Sequence, residues 1–90
     1  TRREELLLSN SLLRVGRIEI LLGNVERGLD AYENLAYRYQ NTPDCLAAYI
    51  EMSNIYASLG RKADADSALR QAIFVLDRME DALFAESGRE

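Results

Sequence analysis

The residues best equipped for chemistry in this chain are its acids. Asp64 and Asp66 stand two apart near the start of a helical pattern, and Asp77, Glu80 and Asp81 gather near the end of the same pattern. A carboxylate pair can do general acid–base work, and three acids together can collect a cation. The spacings argue against both. Residues two apart on a helix point to different sides, so Asp64 and Asp66 read as solvated acids favoured by the positive start of a helix. The later trio reads as the polar end of a helix. Histidine is absent, which removes the commonest general base and the commonest transition-metal ligand.

The remaining reactive types are equally bland. Cys45 is the single cysteine, which excludes an internal disulfide and a cysteine-rich metal site. No cation stands beside it in sequence to lower its pKa, so it reads as a small residue in a first helical turn. It leaves the redox compartment open, with the cytoplasm favoured over the periplasm. Tyr37 and Tyr39 flank Arg38 in a way that can stack a nucleic-acid base, but Tyr32 and Tyr39 also share a packing stripe. Net charge is −4 and the sequence pI is about 4.8, the wrong sign for a protein that displaces counterions from a phosphate backbone. There is no glycine-rich phosphate loop. The reading is a non-enzyme with no cofactor, no metal site, no nucleic-acid partner and no insertion into a membrane, since no apolar run approaches the roughly 18 residues a spanning helix needs.

What the apolar residues specify is clearer. Ninety residues, 48% of them apolar and 29% charged, describe one small domain that buries no more than about two thirds of its unfolded surface. The opening TRREE suits neither a secretory signal nor a transit peptide, and the chain reads as a piece of a longer protein. Residues 4–22 form a first helix with Leu8, Leu12, Val15, Ile18 and Leu22 as its stripe. Leu6, Leu7, Leu13, Ile20 and Leu21 lie off that stripe, so neighbours are expected on several sides. Gly23 ends this helix and Asn24 is the expected N-cap of the next. The second helix, to about Tyr39, is amphipathic through Val25, Leu29, Tyr32, Leu35, Ala36 and Tyr39. Thr42, Pro43 and Asp44 make an N-cap, a first-position proline and a first-turn acid for a third helix, which runs to Gly60. A fourth spans about Lys62 to Met79, and the tail EDALFAESGRE holds a short C-terminal helix through Leu83 and Phe84.

Two stretches repeat. GRIEILLGN at 16–24 and SNIYASLGR at 53–61 both run a helical pattern into Leu-Gly, giving a period of 60 − 23 = 37 residues. The period carries Val15 onto Met52, Gly16 onto Ser53, Ile18 onto Ile55, Leu22 onto Leu59, Gly28 onto Ala65 and Tyr32 onto Leu69. Each glycine closes the first helix of a two-helix unit, and a period in this range marks stacked supersecondary repeats.

The pattern resembles the tetratricopeptide repeat, W-x2-L-G-x2-Y followed by A-x3-F and a closing proline, which has a period of about 34. Tyr49, Met52, Ser53 and Tyr56, then Gly60, Ala65, Leu69 and Ala72, match it in the second unit. Leu12, Val15, Gly16 and Glu19, then Gly23, Gly28, Tyr32 and Leu35, match it more loosely in the first, with Glu19 in place of an aromatic. The longer period is similar to variants common in bacterial multi-repeat proteins. Pro43 closes the first unit, whereas Glu80 stands at the equivalent place in the second. The resemblance implies an all-α fold: two helical hairpins, about 5–40 and 42–79, stacked as a short right-handed α-solenoid with 80–90 as a tail. A plain antiparallel four-helix bundle is the competing architecture.

The resemblance also implies a function. First helices of such units line a concave groove, here through Asn10, Leu13, Arg17, Ile20 and Leu21 from one unit and Ala47, Ile50, Asn54, Ala57 and Ser58 from the other. Family members that clamp a peptide's terminal carboxylate use a lysine four residues before an asparagine. Ile50 precedes Asn54 at that spacing, so acidic C-terminal tails are not the expected ligand; an apolar helix or extended segment of a protein or peptide is. The leading expectation is therefore a protein-interaction scaffold. The alternative is self-assembly as a homodimer through the apolar first helix and the Ile73 to Leu76 face. An acidic bundle that binds metal or regulates an enzyme complex ranks third.

Overall fold

A computed structural model describes residues 1–87 of the chain; the last three residues of the expected tail, 88–90, lie outside the described residues. Four α-helices follow one another, α1 (Arg2–Leu21), α2 (Val25–Arg38), α3 (Pro43–Ser58) and α4 (Lys62–Ser87), and no strand occurs among the described residues. The chain is all-α, built of two helical hairpins.

The two hairpins turn in the same way, hydrogen bond for hydrogen bond. Gly23 has φ 84° and Gly60 φ 76°, left-handed conformations that cost glycine little. The Gly23 amide donates to the Ile20 carbonyl and the Asn24 amide to Glu19; 37 residues on, Gly60 donates to Ala57 and Arg61 to Tyr56. Both are Schellman closures, which satisfy carbonyls at a helix end that would otherwise lack partners.

Within each hairpin the helices cross at the small residues. A Cβ on Gly16 would lie 2.8 Å from Cδ1 of the Tyr32 ring, and one on Gly28 would press on the Ile20 side chain and stand 3.1 Å from the Gly16 carbonyl oxygen. At the equivalent crossing of α3 and α4, the Ser53 hydroxyl donates to the Ala65 carbonyl at 2.9 Å. The pairing of Gly16 with Gly28 and of Ser53 with Ala65 therefore holds in space as it does in sequence.

Between hairpins, α3 packs against α2 and, less extensively, against α1, whereas among the described residues no Cα of α1 comes within 8 Å of α4. A closed four-helix bundle would bring its first and last helices together. Ser9 meets Asp44 and Arg17 meets Glu51, so contacts advance in the same direction along both chains and α1 runs parallel to α3. Tyr32, Leu35, Cys45 and Ala48 form the centre of the core at 1% exposure or less. Ser9, also fully buried, is satisfied by donating its hydroxyl to Asp44 Oδ2 at 2.8 Å.

Three local expectations need correction. The stripe assigned to α1 is not its buried face: Leu8, Val15, Ile18 and Leu22 are exposed, while Ser9, Leu13 and Gly16 are buried. The helix is apolar on two opposite sides, and only the side with room for close approach meets α2. The tail is no separate helix, because α4 runs unbroken through Leu83 and Phe84 to Ser87. Nothing between Met79 and Ser87 breaks a helix, and Glu80 stands where Pro43 ended the first unit. Asn24 occupies the N-cap of α2 without a side-chain cap bond, whereas Thr42 caps α3 by accepting from the Cys45 amide.

Candidate functional site

Parallel alignment puts α1 and α3 side by side, and the space between them is a concavity of about 310 Å³ lined by Arg17, Ile20, Leu21, Tyr32, Glu51, Asn54 and Ile55. Its walls are largely aliphatic, from Ile20 and Leu21 on α1 and Ile55 on α3. Its polar edge is built by three helices at once. Arg17 Nε donates to Glu51 Oε1 at 2.9 Å and Nη2 to Oε2 at 2.7 Å, while the Tyr32 hydroxyl reaches up from α2 to donate to Oε1 at 3.0 Å.

This arrangement fixes the charge states. The Arg17 hydrogen bonds hold the Glu51 carboxyl below its ordinary range, outweighing burial, which acts the other way; the Tyr32 bond adds to the lowering. Burial, then the bond to Glu51, pushes the Tyr32 hydroxyl well above its usual value, so it stays protonated and a donor. Arg17 is raised further by the same carboxylate. The edge is thus an ion pair of zero net charge, with no group poised to exchange a proton near neutral pH.

Of the ten groove residues read from the sequence, Arg17, Ile20, Leu21 and Asn54 meet in this concavity. Ile50, Ala57 and Ser58 are exposed and Asn10 and Ala47 half-buried, none of them in its lining. Leu13 is a correction: at 3% exposure it belongs to the core rather than to an open face. Its direction on α1, beside Gly16, is the one α2 covers. Glu51, Tyr32 and Ile55 were not among the expected groove residues. A signal existed, because residues about one period apart stand at the same height on parallel neighbours. Arg17 with Glu51 and Ser9 with Asp44 are 34 and 35 residues apart.

The other candidate residues are accounted for by packing and solvation. Asp64 pairs with Arg61 at 2.8 Å on the surface, and Asp66, Asp77, Glu80 and Asp81 are exposed. Among the described residues no three metal-ligating side chains gather. Cys45 is buried, and burial pushes its thiol pKa up. Tyr37 is exposed while Tyr39 is half-buried. No helix of the described residues is long and apolar enough to cross a membrane. Comparison with known protein families, with curated proteins and with solved structures finds no match to this chain.

Proposed function

We propose that this chain is a non-catalytic protein-binding module of tetratricopeptide type, its hairpins stacked in the right-handed sense, with the α1–α3 concavity as the seat for an apolar segment of a partner. The observation that carries this reading is the concavity itself: aliphatic walls beside an ion pair already neutralised within the chain. Its volume of about 310 Å³ stands at the low end of small-molecule pockets, which run from roughly 300 to 1,000 Å³. That room suits one or two aliphatic or aromatic side chains of a peptide. Because Arg17 and Glu51 cancel, selection rests on shape and apolar area, with Asn54 free to bond the peptide backbone. The parallel α1 and α3, the matched glycine turns and the matched crossing residues support the repeat assignment.

Fluorescence anisotropy with labelled apolar peptides, one helical and one extended, tests the reading. Leu21→Asp places a charge on an exposed wall residue at no cost to the core, and Asn54→Ala removes the free amide. Binding by the unaltered chain that falls at least tenfold in Leu21→Asp supports the seat. Equal binding by both variants and the unaltered chain moves the site elsewhere.

A further inference from the structure

The junction between the two hairpins is a template for what the outer faces of the chain fit. On α3, Cys45, Met52 and Tyr56 are buried against the first hairpin. Carried back by the 37-residue period they become Leu8, Val15 and Glu19 of α1, where Leu8 is 53% and Val15 48% exposed. On α2 the receiving side holds Tyr32, Ala36 and Tyr39. Carried forward these become Leu69, Ile73 and Leu76 of α4, and Ile73 is 54% exposed. The chain thus presents an α3-like face at one end and an α2-like face at the other, both uncovered.

We infer that a second copy of this chain docks head to tail, its α1 on the α4 face of the first. The polar contacts of the internal junction, transposed by one period, name the pairs that would form. Tyr56 donates to Glu33 at 3.4 Å; the transposed pair is Glu19 with Arg70, of opposite charge. Glu19 Oε2 is buried and has no hydrogen-bond partner among the described residues, a costly state for a carboxylate oxygen; turned outward, the carboxylate would gain one in Arg70 of the next copy. Arg17 with Glu51 becomes Asn54 with Arg14, an acceptor and a donor, and Ser9 with Asp44 becomes Leu46 with Leu7, an apolar pair. Tyr32 with Glu51 becomes Leu69 with Arg14. None of these four hydrogen-bonded pairs sets like charges together when transposed.

The antiparallel pairing of Ala36 with Cys45, linked through the Cys45 thiol and the Ala36 carbonyl at 3.8 Å, transposes to Ile73 opposite Leu8. Continued outward, the same register sets Asp77 level with Glu4 and Arg78 level with Arg3, so the contact is carried by its apolar pairs and by Glu19 with Arg70 rather than by charge at its ends. Such an interface joins different patches on the two partners, so each copy added leaves one face of each kind open. The association is therefore open-ended rather than a closed pair.

Sedimentation velocity of the 90-residue chain tests this at low salt. The expected result is a weight-average mass that rises continuously with concentration from the 10.2 kDa of one chain. Val15→Asp removes only the α1 face and Ile73→Asp only the α4 face, both at exposed positions, so each variant alone is monomeric while retaining the helical circular dichroism of the unaltered chain. Mixed, the two variants retain one good face each and form a one-to-one complex that stops at two chains. Glu19→Arg or Arg70→Glu weakens association at least tenfold, and the double exchange recovers it. A monomer at every concentration overturns the proposal. So does a dimer that survives either Asp variant alone, or variants that fail to pair on mixing.

Discussion

Arg17 and Glu51 are 34 residues apart in the chain and 2.7 Å apart in space, and their ion pair ties the first helix of one hairpin to the first helix of the other. Its second contact, Nε to Oε1 at 2.9 Å, fixes the guanidinium plane as well as its position. Glu51 is the partly sheltered member and Arg17 about half exposed, so solvent screens the attraction. Glu51→Gln is expected to cost about 1 kcal/mol of stability at pH 7, counting the charge-assisted bonds it weakens and that screening. The pH dependence has a definite sign. Glu51 is held below its ordinary value of 4.5 in the fold, so the unfolded chain takes up the proton first. The contribution is full above the unfolded pKa and is lost as pH falls through the folded one. Urea unfolding of both proteins is expected to show a gap at pH 7 that closes in acid.

Gly16 faces the Tyr32 ring, and this contact sets how closely α1 and α2 approach. A methyl there would sit 2.5 Å from Cε1, and the ring, 1% exposed and tied by its hydroxyl to Glu51, has nowhere to move. Gly16→Ala gains about 1 kcal/mol in helix propensity and loses about 1–3 kcal/mol to overpacking. Net destabilisation of about 1 kcal/mol is expected in thermal or urea unfolding. In a Tyr32→Leu background, which vacates the ring, the same Gly16→Ala change should cost less than it does in the unaltered chain.

These contacts show which parts of the structure were legible in the sequence. Glycine turns are local: Gly23 and Gly60 are needed for their positive φ, and their period located both hairpins. The close crossings were legible for a related reason, since Gly16, Gly28, Ser53 and Ala65 are small where a helix surface is usually bulky. The buried side of α1 was not. Leu8, Val15 and Ile18 form as regular a stripe as the side that packs, and helical periodicity carries no information about which of two apolar sides has a neighbour within the same chain. The polar edge of the concavity was hidden for a different reason. Glu51 lies among apolar residues of α3 and acquires its role only when α1 arrives beside it, 34 residues away. The apolar stripe of α4 fades after Met79, but no stop signal follows it, since Glu80 stands where Pro43 ended the first unit, and the helix continues.

The N-caps of α2 and α3 offer a matched test of capping. Thr42 is fully buried, accepts from the Cys45 amide at 3.3 Å and donates to the Tyr39 carbonyl at 2.8 Å. Thr42→Ala removes both bonds, and a loss of about 1–2 kcal/mol is expected. Asn24 holds the same position before α2, is exposed and makes no side-chain cap bond, so Asn24→Ala is expected to cost less than about 0.5 kcal/mol. Chemical denaturation of the two variants beside the unaltered chain measures the difference directly. A loss for Asn24→Ala that equals the loss for Thr42→Ala would show that Asn24 caps in solution.

Cys45 provides a probe of how the junction between the hairpins opens. Its side chain is fully buried, its sulfur stands 3.8 Å from the Ala36 carbonyl oxygen, and burial raises its pKa. Two barriers therefore oppose alkylation: a thiol reagent cannot reach the sulfur, and the thiolate that would react is scarce. Reaction requires α3 to leave α2, so the rate at neutral pH is expected to be at least a hundredfold below that of the same chain in denaturing urea. Raising the pH increases the thiolate fraction only once the site is open, so the native rate should follow the unfolded thiol's titration scaled by the open fraction. Glu51→Gln and Thr42→Ala, which weaken this junction by different contacts, are expected to speed labelling about fivefold for each kcal/mol of stability they lose. Labelling of the native chain as fast as in urea would mean that α3 is not held against α2 at all.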